Sequence, residues 1–230
     1  NYAEASIGTL GLSWDQHNGI AFDVSYDSPK ELYEGYKELL IDFFTNFKGT
    51  LVWHNASYDI SAIIHELWMD DITDAKGLLE GLEIMTSNFE DTKIIAYLAL
   101  NSCSGNELGL KALAQEFAGN YAEDVTDITK VPKQDLLQYN LVDCLCTAYV
   151  YEKYLPIMVA DEQEDLYRNH FKGYIKDIIH MQLTGLPLDM ERVLEVDKIL
   201  QKDSDEAINA IINNKYVQSH IGYLVNQHME

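Results

Sequence analysis

The strongest constraint on the fold is a change of hydrophobic period within residues 50–67. The run 50–53 is apolar enough for a short buried strand, whereas the apolar residues that follow recur at helical spacing, at Ile60, Ile63, Ile64 and Leu67. The segment 53–59 therefore joins a strand to a helix. An acid in this position, Asp59, lies near the positive end of that helix. It either caps the helix or belongs to a site at the edge of the sheet.

A second element pairs with this junction. Tyr139 and Asp143 are four residues apart in another helical pattern, so that both side chains project from one face. Two further segments lie between the junction and this helix. One is Glu90-Asp91-Thr92-Lys93-Ile94-Ile95-Ala96-Tyr97-Leu98, and the other is Leu108-Gly109-Leu110-Lys111-Ala112-Leu113-Ala114.

These four stretches carry a family resemblance. Asn55-x-x-Tyr58-Asp59 resembles the second motif of the DEDD 3′→5′ exonucleases, and Tyr139-x-x-x-Asp143 resembles their third motif in its tyrosine form. Segment 90–98 looks like the Asp-Thr-x-x-x-x-Tyr segment of the same family, and segment 108–114 is similar to the helix that follows it. The order and spacing resemble those of the proofreading domain of family-A DNA polymerases over most of residues 6–158.

The resemblance implies an α/β chain with a ribonuclease H-like fold, in which helices flank a mixed sheet, followed by a helical segment. Residues 1–158 would form the 3′→5′ exonuclease domain without its first strand. Residues 159–230 would form the helical start of the polymerase thumb region, since a helix, a Gly-Leu-Pro-Leu-Asp turn and a second helix resemble the junction between the two domains. Asp189, the last residue of that turn, is expected to cap the second helix.

The resemblance also implies a site. Asp59 and Asp143 would be ligands of a two-metal centre that holds Mg²⁺ or Mn²⁺. Tyr139 would orient the attacking water, which makes these three the expected catalytic residues. Asn55 and Tyr58 would contact the terminal nucleotide, with His54 as a further candidate.

Two residues of the intervening segments have ordinary alternatives. Asp91 matches a position near the site in this family, and it is equally well interpreted as a helix N-cap. Lys111 is most simply a solvated lysine on an amphipathic helix.

The first motif of the family, an Asp-x-Glu on the first strand, is absent. Only residues 1–5 stand where it is expected, and Glu4 has no Asp two positions before it. Either the chain is a fragment that begins after the motif, or the parent protein lacks it and the domain is a structural relic. In both cases we expect the 230 residues to bind metal poorly and to cleave DNA slowly or not at all.

The charge balance argues against a strong nucleic-acid binder. Lys and Arg number 16 and Asp and Glu 38, a net charge of −22, whereas duplex binding depends on cationic side chains that neutralise phosphates. A nuclease that binds only a few nucleotides of single-stranded DNA needs fewer cationic side chains. The expected partners are the 3′ end of single-stranded DNA, or a primer terminus, and the remainder of a polymerase chain.

Location and thiol chemistry follow from simpler features. No apolar run reaches membrane-spanning length and no signal peptide is visible, so no membrane partner is expected. The resemblance implies the cytoplasm of a bacterium or of a phage-infected cell. Cys103, Cys144 and Cys146 suit neither a disulfide nor a zinc site and are expected to be reduced packing residues.

Local patterns predict the elements in between. Alternation predicts a hairpin from residues 6–14 and 20–24, and residues 83–85 look strand-like. A long helix is expected over 133–155, ending before Pro156. The next helix is expected to carry a single apolar stripe, formed by Tyr167, Phe171, Tyr174, Ile178 and Met181.

Two alternatives remain open. One is a stand-alone DEDD ribonuclease that resembles RNase D. The other is a non-catalytic scaffold domain that only positions a polymerase. The residues on either side of the chain would separate them: polymerase motifs beyond Glu230 favour the proofreading domain, and an Asp-x-Glu before Asn1 argues against the scaffold.

Overall fold

The computed structural model describes residues 7–26, 29–100, 105–119 and 131–229. Its contacts divide the chain into two compact units, Asn1–Gly185 and Leu186–Glu230. The predicted boundary between two functional domains, at residues 158 and 159, is not tested by these units and stays a prediction.

The strands of the first unit form two separate pairs. β1 (Thr9–Ser13) and β2 (Gly19–Asp23) make an antiparallel hairpin, and β3 (Leu51–Trp53) pairs in parallel with β4 (Phe89–Asp91). The predicted hairpin is thereby confirmed. The hairpin turn is closed by the Asp15 carboxylate, which accepts hydrogen bonds from the backbone N–H groups of His17 and Asn18.

The predicted ribonuclease H-like mixed sheet is wrong. Helix accounts for 69% and strand for 8% of the structure, and no sheet has more than two strands among the described residues. The reason is that the β1–β2 ladder and the β3–β4 ladder are hydrogen-bonded only within themselves. The parallel pair is also just three residues long in each strand. The fold of the described residues is therefore mostly helical.

Helices make up the rest of the first unit. In chain order they are α1 (Lys30–Asn46), α2 (Ala56–Leu67), α3 (Ala75–Met85), α4 (Thr92–Ala99), α5 (Leu110–Leu113), α6 (Gln115–Ala118), α7 (Lys133–Ala160), α8 (Glu164–Leu166) and α9 (Lys172–Thr184). A π-helical turn, Tyr167–Phe171, joins α8 to α9.

Two hydrophobic clusters hold this unit together. The first lies between the hairpin and helices α1, α2, α3 and α9, with fully buried members that include Val24, Ile60, Ile64, Met85 and Ile179. The second lies around α4, α5 and α7 and includes Ile95, Cys146, Val150, Met158 and Tyr167. The start of α2 is anchored in the first cluster and the middle of α7 in the second.

Three local predictions are corrected. Residues 83–85 belong to helix α3, since Leu78, Leu82 and Met85 follow helical spacing and are all buried. Helix α7 continues past Pro156 to Ala160, with Tyr154 and Met158 buried on either side of the proline. Burial of these two side chains offsets the loss of one backbone hydrogen bond.

The buried stripe of α9 also differs from the expected one. Ile175, Ile179 and Leu183 face the core, whereas Tyr174, Ile178 and Met181 are exposed. The inward face is therefore rotated by about one residue from the predicted one, while Tyr167 is buried as expected.

The second unit consists of α10 (Met190–Ile212) and α11 (Lys215–Met229). Asp189 caps α10 by accepting hydrogen bonds from the N–H groups of Glu191 and Arg192, which confirms the expected cap. Helix α10 has no buried residue along its length. Within the described ranges, no helix combines the length and the apolarity needed to cross a membrane.

Candidate functional site

The site is built at the turn between β3 and α2. Asn55 occupies the N-cap position with φ of 67°, a left-handed conformation that Asn tolerates better than most residues. Its own side chain makes no capping hydrogen bond to the helix. The N–H groups of Asn55 and Ala56 instead donate to the two carboxylate oxygens of Asp91, at 3.1 and 2.9 Å.

Asp91 organises this corner of the molecule. It is 3% exposed, lies at the end of β4, and also accepts from the N–H of Lys93 as the N-cap of α4. Its own N–H donates to the Tyr167 hydroxyl at 2.8 Å. The N-cap interpretation of Asp91 is therefore confirmed, and the same carboxylate also holds the start of α2.

Asp59 is not the cap of α2. It lies one turn inside the helix and is half-buried. Burial, with a smaller contribution from the negative charge of Asp91, raises the pKa of its carboxyl to about 6. Asp59 is thus an acid in an environment that penalises its charged form, as acids at functional sites often are.

His54 lies behind the turn. Its Nδ1 is 2.8 Å from the Thr92 hydroxyl and its Nε2 is 3.1 Å from the carbonyl oxygen of Leu108. Because a carbonyl only accepts, Nε2 carries the hydrogen and Nδ1 accepts from the hydroxyl. Burial lowers the pKa of the imidazole. Both nitrogens serve the fold, so nucleotide contact by His54 stays a prediction with no geometric support.

The two predicted nucleotide contacts are at the surface. Tyr58 is 66% exposed and Asn55 is exposed. The Asn55 Oδ1 accepts from the Lys93 ammonium at 3.4 Å, which brings a positive charge to the mouth of the site.

Tyr139 and Asp143 lie on α7 and meet the same lysine. The Lys111 ammonium forms an ion pair with the Asp143 carboxylate and lies 4.4 Å from the centre of the Tyr139 ring. The side chains of Lys111 and Asp143 are only 18% and 28% exposed. The expectation that Lys111 is a solvated lysine is therefore wrong.

The turn of α7 that carries Tyr139 and Asp143 is held against strand β1 by two hydrogen bonds. Asn140 donates to the Thr9 hydroxyl at 3.1 Å, and the Ser13 hydroxyl donates to the Cys144 carbonyl at 2.9 Å. Gly11 lies against both side chains: a Cβ there would be 2.6 Å from the Asn140 Oδ1 and the Cys144 Sγ. Strand β1 thus packs closely on the turn of α7 that carries Asp143.

Electrostatics link the two halves of the site. Burial raises the pKa of the Cys144 thiol to about 12, and the charge of Asp59 is the next largest cause. The charge of Asp59 thus acts on Cys144, the residue after Asp143. Strand β3, which leads into α2, contacts α7.

The described residues do not fit the two-metal site that the resemblance implies. Among them, no group of three or more His, Cys, Asp and Glu side chains is placed to hold a metal ion. The oxygens of Asp91 are taken by backbone N–H groups, and Asp143 is paired with Lys111. Asp59 and Asp143 stay predicted ligands, and the residues before Ile7, where the first motif is expected, lie outside the described ranges.

Sequence reasoning missed three contributors to this region. They are Lys93, Lys111 and Glu90, a 4% exposed carboxylate that pairs with Arg168 at 3.3 Å and Lys172 at 3.5 Å. The partners are 32 to 82 residues apart, a separation that local patterns do not address.

No protein-family model, curated protein or solved structure matches this chain.

Proposed function

We propose that this chain is the 3′→5′ exonuclease portion of a family-A DNA polymerase and that it takes up the 3′ end of single-stranded DNA. The observation that carries the proposal is the juxtaposition of the two motifs. Strand β3, which leads into the Asn55–Asp59 turn, contacts α7, which carries Tyr139 and Asp143, and the charge of Asp59 acts on Cys144 beside Asp143. We infer that the two motifs border one surface.

The residues of this surface suit a single-stranded end. Tyr58 offers an exposed aromatic ring on which a base can stack. Asn55 offers an exposed amide, and Lys93 supplies the positive charge that a phosphate needs. Tyr139 and Asp143 would meet the terminal nucleotide from the α7 side.

Hydrolysis by these 230 residues would be slow or absent. A divalent ion needs several carboxylate ligands, and the described residues bring no such group together. Catalysis with Mg²⁺ or Mn²⁺ would require further ligands. Strong binding would require a basic surface outside this acidic chain, for which the remainder of a polymerase, in the cytoplasm of a bacterium or a phage-infected cell, is the partner.

A scaffold without catalytic activity is the second candidate. It is favoured by the fact that Asp91 and Asp143 are each satisfied by protein donors rather than directed toward an open cluster. An RNase D-like ribonuclease would use the same motifs, and it differs from the first proposal in preferring RNA.

The test follows binding and cleavage of the same oligonucleotides. Fluorescence anisotropy at low ionic strength measures binding of single-stranded DNA and RNA, and denaturing electrophoresis with Mg²⁺ or Mn²⁺ measures shortening. We expect Tyr58→Ala to weaken DNA binding about fivefold or more, since stacking of one base contributes about 1–3 kcal/mol. Tyr174→Ala, which removes a tyrosine of similar exposure on α9, is the control.

The outcomes separate the candidates. DNA binding that depends on Tyr58, with little shortening, supports the proposal. Preferred binding of RNA supports the ribonuclease. No binding to either, or binding that Tyr174→Ala weakens as much as Tyr58→Ala does, contradicts a site at this surface and leaves the scaffold.

A further inference from the structure

Lys111 lies between the two α7 side chains that the proposed function places at the site. Its ammonium pairs with the Asp143 carboxylate and lies 4.4 Å from the centre of the Tyr139 ring. One cation therefore contacts both residues at once. Tyr139 and Asp143 are separated by one helical turn, so the contact fixes two neighbouring side chains relative to each other.

The helix that carries Lys111 is anchored in the hydrophobic core. Helix α5 is four residues long, and it is anchored by Leu113, which is 6% exposed, and the fully buried Ala114. The Lys111 side chain is itself 18% exposed. A side chain so confined loses little further freedom when it pairs, and removing it would leave a half-buried carboxylate without its charge partner.

We propose that Lys111 is a positioning residue that supplies Asp143 with the positive charge a divalent ion would otherwise bring, and that its ammonium fixes the Tyr139 ring beside that carboxylate. The described residues support this proposal, because they contain no group of three metal-ligating side chains that would hold a cation beside Asp143 in place of the ammonium. The inference relies on the proposed function for the importance of Tyr139 and Asp143, whereas the ion pair itself stands without it.

The chain contains a matched comparison. Lys153 pairs with Glu116 and lies 5.5 Å from the centre of the Tyr149 ring, so it repeats the lysine, carboxylate and tyrosine grouping, here with the lysine on α7 and the carboxylate on α6. There the carboxylate is 63% exposed. The comparison separates the effect of the Lys111 position from the general effect of removing a lysine that contacts a tyrosine of α7.

The experiment uses NMR of the whole chain with ¹³C-labelled tyrosine and titration with Mn²⁺, and no DNA is present. We expect Lys111→Met to shift the Tyr139 signal and leave the Tyr149 signal in place, and Lys153→Met to do the reverse. Mn²⁺ should broaden the Asp143 amide at about tenfold lower concentration in Lys111→Met than in the unmodified chain, because the competing charge is gone. Lys111→Arg should restore both properties.

Two results would overturn the inference. One is a Tyr139 signal that Lys111→Met leaves unmoved. The other is Mn²⁺ broadening at Asp143 that is equal with and without the lysine. If Lys111→Met does not fold, Lys111→Gln, which keeps a polar head group, is measured in its place against the same criteria. If the chain gives the expected NMR shifts but binds no single-stranded DNA, this inference stands and the proposed function is contradicted.

Discussion

The backbone N–H of Asn55 donates to the Asp91 carboxylate at 3.1 Å, across the parallel strands β3 and β4. With the hydrogen bond from Ala56 at 2.9 Å, this contact holds Asn55 in its left-handed conformation and fixes the start of α2. The direction in which Tyr58 and Asp59 leave the turn therefore depends on an acid more than thirty residues away.

Replacing Asp91 with Asn should destabilise the chain. The amide loses the charge and one of the two acceptor oxygens, so a buried N–H is left without a partner, and we expect the free energy of unfolding to fall by about 2 kcal/mol. Urea unfolding followed by circular dichroism measures this. Asp74→Asn is the control, since Asp74 caps α3 from a less buried position and Asn caps nearly as well as Asp. Equal losses in the two variants would mean that Asp91 is only a cap.

Acid should weaken the chain through His54. Burial lowers the pKa of this imidazole in the folded state, so the unfolded chain takes up a proton near pH 6.5 that the folded chain does not. The stability present above that pH is therefore lost as the pH falls through the lowered folded-state value.

The measurement is urea unfolding at several pH values between about 5 and 8. We expect His54→Gln to remove part of the decrease in stability on the acid side. His180→Gln, which replaces an exposed histidine of α9, should leave the decrease unchanged. An unaltered pH dependence in His54→Gln would contradict the environment described for this ring.

Gly11 should not tolerate a side chain. A methyl group there would meet the side chains of Asn140 and Cys144 at 2.6 Å, so Gly11→Ala must displace these side chains, at a cost of about 1–3 kcal/mol. Gly35→Ala is the opposite case, because Gly35 lies inside α1 with open space around it. There alanine should stabilise the chain by about 0.5–1 kcal/mol. Thermal unfolding of both variants would show shifts of opposite sign, and shifts of the same sign would contradict the close packing of β1 on α7.

The thiols of α7 should be unreactive in the folded chain. Burial raises the pKa of Cys146, and burial and Asp59 raise that of Cys144 to about 12. Neither sulfur is therefore a thiolate at pH 8, and only the thiolate reacts with Ellman's reagent. Cys103, which lies outside the described residues, is replaced by Ser for this test. We expect the reagent to react with the two remaining thiols, and so to release its colour, only after unfolding. Rapid reaction of the folded chain would show that α7 is more open at Cys144.

The sequence predicted the local elements better than their assembly. The hairpin, the β3–α2 junction and the Asp189 cap depend on residues close together in the chain, and all three are confirmed. The mixed sheet required pairing between distant strands, and it is wrong. Helix α9 was identified correctly with its inward face misplaced, because exposed Ile178 and Met181 are as apolar in sequence as buried Ile175 and Leu183.

The candidate site shows the same division. Asp59 and the Tyr139–Asp143 pair were identified from the resemblance, and the structure brings strand β3, which leads to Asp59, into contact with α7. The role of Lys111 was missed, since a lysine on a short amphipathic helix shows no sign of a partner 32 residues away. The metal ligands, the substrate and the activity stay predictions.

The most direct measurement is paramagnetic broadening of the amide signals by a short oligothymidylate that carries a nitroxide at its 3′ end. Because binding to so acidic a chain is expected to be weak, on the order of 10⁻⁴ M or weaker, NMR is better suited than methods that require a stable complex. We expect the 3′ label to broaden residues 55–59 and 139–143 together, and a 5′ label to leave them sharp. Broadening by both labels alike, or broadening of a surface that excludes these two segments, would contradict a 3′-end site between α2 and α7.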